Sequence, residues 1–206
     1  MNYEILLAFS IATFALALSP GPDNIFVLIQ SITNGRKFGL AVVAGLMTGC
    51  LVHTTLLAFG VSAVIKNNPT IFTIIKIFGA IYLVYLAISV YRGGDSISIK
   101  TENKPVKSLG SLFRQGFIMN VLNPKVTIFF LAFFPGFLFS NGISTIIQFY
   151  VLGLLFIVIS SIVFSGIAFL SGSISTFLTG NKKTGFVLKW VQITVFLGIA
   201  IFLFFG

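Results

Sequence analysis

Charge is what this chain has least of. Only 8% of its 206 residues are charged, and just 4 of those are Asp or Glu, against 13 Lys and Arg. A soluble domain of this length carries about three times that share. Other shortages exclude particular chemistries. Cys50 is the single cysteine, so there is no intrachain disulfide, no CxxC redox pair and no thiolate metal cluster. A membrane thiol-electron carrier, which needs two facing cysteines, lacks its second. His53 is the single histidine, which argues against a polyhistidine metal centre. No GxSxG, HExxH or comparable constellation is present, and so few acids leave little for general acid–base work. The reading is of a protein that is not an enzyme and carries no cofactor.

What fills the space is apolar. Hydrophobic residues make up 57% of the chain, 25 residues are phenylalanine, and the mean hydropathy is +1.08. Apolar stretches of about 18 or more residues recur along the whole length, the mark of a polytopic helical membrane protein. A membrane β-barrel would instead show short alternating segments, and none occurs. The surplus of bases does not point to nucleic acid, because these residues sit in short connectors between apolar runs, where they orient a protein in the bilayer.

Six spans are expected, near residues 4–34, 38–64, 69–91, 113–140, 143–171 and 185–205. Turn and charge signals separate them, such as Asn34-Gly35-Arg36-Lys37 and Ser140-Asn141-Gly142. Ala15-Leu16-Ala17 resembles a signal-peptidase site, but Glu4 and the lack of Lys or Arg before it favour a retained first span. Connector bases fall on two sides. Arg36, Lys37, Arg92, Lys100, Lys104, Lys107, Arg114, Lys182, Lys183 and Lys189 share one, and Lys66 and Lys76 the other. Lys and Arg gather in the cytoplasm, so both termini are expected outside the cytoplasmic membrane. Residues 1–206 form one domain: repeat one at about 4–91, a cytoplasmic loop at about 92–112, and repeat two at about 113–205. Three spans on each side of the loop give the halves opposite orientations, the topology of an inverted repeat. The fold class is therefore all-α, two inverted three-helix repeats with broken first helices.

The breaks are Ser19-Pro20-Gly21-Pro22-Asp23-Asn24 in the first span and Asn123-Pro124-Lys125 in the fourth. Proline lacks an amide hydrogen, so Pro20, Pro22 and Pro124 would free the carbonyls of Leu16, Leu18 and Asn120. Gly21 adds backbone freedom. At membrane depth, such carbonyls persist only against protein or beside a watery cavity. At about 1.5 Å per residue, Pro22 lies about 21 Å from Arg36 and Pro124 about 15 Å from Arg114, both near the middle of a core about 30 Å thick. Aligning Pro22 with Pro124 sets Asp23 opposite Lys125.

A zwitterionic amino acid suits this pair. Its ammonium would find Asp23 and freed carbonyls, and its carboxylate would find Lys125 and a restarting half-helix. The competing reading, less favoured from sequence, is that the two charges only neutralise one another. Intramembrane ionisable residues are functional candidates by default, which puts Asp23 first. Asn24, Asn120 and Asn123 are candidate polar lining. Gly45, Gly49 and His53 recur at spacing four, so a small-residue face turns His53 toward protein, where it either relays protons or serves as a hydrogen-bonded packing residue. Gly79, Tyr82 and Leu86 form a packing stripe.

At these residues the chain resembles the lysine-exporter (LysE-type) amino-acid efflux family, in its threonine and homoserine branch. The resemblance is carried by Ser19-Pro20-Gly21-Pro22, by Ala44-Gly45-Leu46-Met47-Thr48-Gly49 with His53, by Gly79-Ala80-Ile81-Tyr82-Leu83, and by Asn123-Pro124-Lys125 followed by Phe134-Pro135. It implies an inner-membrane exporter of small amino acids or their derivatives, driven by the proton gradient. Members that export lysine or arginine carry an acidic residue in span two, where this chain has Gly49-Cys50, so the resemblance implies a neutral substrate. The expected partners are an amino-acid substrate, protons and the lipid bilayer, with a homodimer left open. A divalent-metal or other small-metabolite exporter is the nearest alternative, although hard cations want more oxygen ligands than these carboxylates supply.

Overall fold

The computed structural model describes residues 2–19, 21–67, 69–93, 107–180 and 182–205. Pro20, Lys100 and Lys104 lie outside them, and so does most of the connector expected at 92–112. Helix is nearly everything described. In chain order the helices are α1 (Tyr3–Leu18), α2 (Pro22–Asn34), α3 (Arg36–Leu56), α4 (Ser62–Asn67), α5 (Pro69–Arg92), α6 (Leu109–Val121), α7 (Pro124–Phe133), α8 (Thr145–Phe169), α9 (Ser171–Gly180) and α10 (Lys182–Phe205). A π-helical turn, Leu57–Val61, joins α3 to α4, and a 3₁₀ turn, Phe134–Phe137, follows α7, where Pro135 withdraws the amide an α-turn would need.

Four segments are long and apolar enough to cross a bilayer: Arg36–Val64, Thr73–Arg92, Thr145–Phe169 and Gly185–Phe204. Counting α1 with α2 and α6 with α7 as broken spans raises the number to six. The chain is a multi-pass helical membrane protein. Two boundaries differ from the sequence reading. The fourth span begins at Leu109 rather than near 113, because the Ser108 hydroxyl caps it by accepting the Ser111 amide at 3.2 Å. The stretch that the sequence reading left between the fifth and sixth spans holds the separate helix α9, which packs against α2, α8 and α10.

Lipid tails are as apolar as leucine, so helices here associate through close packing and small residues rather than water exclusion. The most extensive contact joins α3 to α6. It is built on Gly45 and Gly116: a Cβ on the first would collide with the Phe113 carbonyl oxygen, and one on the second with that of Val42. Each glycine thus admits the partner backbone. Further pairs join α5 to α10 and α1 to α8. Gly79 of the predicted stripe packs against Ala132 on α7.

Beyond the breaks, toward the start of α1 and the end of α7, the core is aromatic. Phe9, Phe129, Phe130, Phe133, Phe134 and Phe137 are buried and interlock, with Phe129–Phe133 stacked at 4.5 Å and Phe130–Phe134 at 4.2 Å between centroids. Each such pair contributes about 0.5–1.5 kcal/mol beyond its burial. A smaller cluster toward α6 and the end of α8 holds Ala17, Val27, Val42, Val43, Leu46 and Leu112. The breaks lie between these two packings.

Candidate functional site

Helix α1 stops at Leu18, where the Ser19 amide bonds back to the carbonyls of Ala15 and Leu16, both at 3.1 Å. Gly21 follows in an extended conformation, φ −157° and ψ 175°, and Pro22 opens α2 at a position where its missing amide costs nothing. Asn24 stitches the halves together: its Nδ2 donates to the Ala17 carbonyl at 2.8 Å. The fourth span repeats the device. Helix α6 ends at Val121, Asn123 accepts the Lys125 amide on Oδ1 at 3.0 Å, and Pro124 opens α7 at a bend of 52°.

The two breaks face one cavity of about 60 Å³, lined by Ser19, Gly21, Pro22, Asp23 and Asn24 from the first and Asn120, Asn123 and Lys125 from the second. A single water needs roughly 10–15 Å³ on this scale. Helix α3 adds Leu46, Met47 and Cys50, and α8 adds Phe156, Ser160 and Phe164.

Asp23 and Lys125 thus meet at one site, each within range of the other's field. They do not close into an ion pair within 4.0 Å. Asp23 Oδ2 instead accepts Asn123 Nδ2 at 3.3 Å. The Lys125 ammonium lies 4.6 Å over the Phe196 ring, a cation–π contact with α10. It also reaches to 3.6 Å of the point where a Gly21 Cβ would sit. Both side chains are half-buried.

His53 lies behind this wall rather than on it. It is buried, tilted against Phe130 at 5.4 Å, and its Nε2 donates to the Asn120 carbonyl at 3.1 Å, the carbonyl that Pro124 withdraws from its helical partner. Asn120 in turn donates Nδ2 to Cys50 Sγ at 3.5 Å. Gly49 makes room for it, since a Cβ there would come to 2.6 Å of Asn120 Oδ1. Pro124 itself is exposed and off the cavity. Among the contributors missed from the sequence are the α8 cavity residues and Phe196. Ser160 sits unmarked in the most apolar helix, and Phe196 is one phenylalanine among 25. Among the described residues, no three of His, Cys, Asp and Glu come together as a metal site.

This geometry can be compared with known proteins. The homoserine/homoserine lactone efflux protein of Salmonella typhimurium (strain LT2) is 32% identical over 183 residues, which cover 89% of this chain and 88% of that one. The leucine efflux protein of Salmonella choleraesuis (strain SC-B67) is 29% identical over 183 residues, 89% of this chain and 84% of that one. No solved structure matches. The family match runs over residues 14–206, across both breaks and every helix that lines the cavity, and the chain belongs to the LysE type translocators.

Proposed function

We propose that this protein exports small, neutral amino acids or their derivatives, homoserine-like or threonine-like, across the cytoplasmic membrane by proton-coupled alternating access. One observation carries the reading. An anion and a cation from two broken helices line one cavity, and each is held by a neutral group rather than by the other. That leaves both free for a zwitterion. Its ammonium would lie between Asp23 and the last carbonyls of α1, and its carboxylate beside the Lys125 ammonium near the positive end of the α7 dipole. The efflux proteins named among the relatives support a cargo of this class.

Among the described residues, Asp23 is the sole carboxylate at the cavity, so it is both the ammonium's counter-charge and the group that would exchange a proton. One carboxylate is a poor set for a divalent metal, which makes that alternative weaker. Both termini face outward in this reading, so the aromatic cluster closes the cavity on the outer side. Some contacts support two inverted halves: under that mapping α3 on α6 corresponds to α8 on α1, and α5 on α10 maps onto itself. The test is efflux from proteoliposomes loaded with a panel of amino acids, with and without a proton gradient. A small neutral amino acid should leave, and faster with the gradient; failure of the whole panel would overturn the reading.

A further inference from the structure

Several hydroxyls in these helices satisfy themselves locally, while four buried ones among the described residues, Thr13, Ser19, Ser62 and Ser160, have no partner. Ser10, Ser31, Thr48, Thr54, Thr55 and Thr127 each donate to the carbonyl four residues earlier, at 2.7–3.2 Å. Ser160 does not. Its side chain is 1% exposed, and its Oγ has no hydrogen-bond partner, although the same local bond was open to it. Ser19 at the end of α1 is the same, 0% exposed and unpartnered. Both residues line the cavity that holds Asp23 and Lys125. A buried hydroxyl left without a partner is costly, and a ligand that supplies the partner removes the cost.

Around Ser160 the wall is apolar. Phe156 and Phe164 stand one turn before and one turn after it on the same face of α8, and Leu46 and Met47 come from α3. The polar charges sit at the breaks, and α8 offers a stripe of ring, hydroxyl, ring. We propose that Ser160, assisted by Ser19, is the specificity-determining residue of the site: it bonds the polar group on the substrate's side chain and so favours hydroxyl-bearing over aliphatic amino acids. A site whose hydroxyls go unpaired with an aliphatic cargo rejects that cargo more than the apolar wall attracts it. This rests on the amino-acid-export reading above.

The experiment measures kcat/KM for L-homoserine and for L-leucine efflux from proteoliposomes, with the full chain and with S160A, S19A and T13A. Thr13 is the control, since its hydroxyl is also buried and unpartnered but off the cavity. S160A should lower the homoserine-to-leucine ratio by about three- to tenfold, the value of one hydrogen bond, without lowering the leucine rate. S19A should shift the ratio in the same direction, and T13A should leave it unchanged. An unchanged ratio in both serine variants overturns the proposal, and so does an equal loss for both substrates. A wild type that exports neither one while exporting other amino acids also overturns it. Export of no amino acid at all would bring down the functional reading itself.

Discussion

Asn123 is the residue that lets Asp23 and Lys125 share a cavity without pairing. Its side chain works from both ends, Nδ2 donating to the Asp23 carboxylate and Oδ1 accepting the Lys125 amide at the head of α7. Phe196 completes the arrangement by taking the Lys125 ammonium on its ring. Neither partner neutralises a charge, so both charges stay available to the zwitterion proposed as cargo. Asp23→Asn keeps the shape and the hydrogen bond but removes the anion. It should leave the protein inserted and extractable in folded form while reducing gradient-driven efflux by roughly 30-fold or more, the consequence of losing about 2–5 kcal/mol from a hydrogen-bonded charge. Efflux at the wild-type rate would show that Asp23 does not touch the cargo. These charges were legible in the sequence because a carboxylate beside two prolines in an apolar run has few structural reasons to be there. Ser160 and Phe196 were not, because what sets them apart is a missing partner and a ring's position, and both arise only when distant helices meet.

At the level of the helices, local chemistry decided where the chain breaks, and packing decided what each break faces. Pro22 and Pro124 at the first position of α2 and α7, with Asn123 capping the second, made both breaks readable before any fold was known. Helix α9 was hidden because its Ser, Gly and Thr residues have weak helix preference, and contacts with α2, α8 and α10 override it. The spacing of Gly45, Gly49 and His53 announced a close helix approach but not its partner, which is α6, the first half-helix of the second half. Gly116 on that partner meets the Val42 carbonyl, and backbone has little room to yield. Gly116→Val should therefore destabilise the protein by about 1–3 kcal/mol, read as a lower midpoint of thermal unfolding in detergent. The same substitution at Gly166, where nothing lies within 4 Å of an added Cβ, should leave the midpoint nearly unchanged. Equal effects at the two positions would mean that the α3–α6 crossing is not a close-packed joint.

Across the whole molecule, composition and hydropathy announced a multi-pass helical protein, and the order of motifs announced its family, over nearly the full length. What the sequence left open was whether Asp23 and Lys125 serve the cargo or only each other. Their separation beyond 4.0 Å and their separate neutral partners favour the cargo. The most direct measurement is a double-mutant cycle on this pair, with amino-acid efflux followed for wild type, D23N, K125Q and the D23N/K125Q double variant. If each charge holds one end of a zwitterion, the double variant transports no better than the worse single variant. Recovery of efflux toward the wild-type rate when both charges are removed together would show that they only neutralise one another, and would contradict the account.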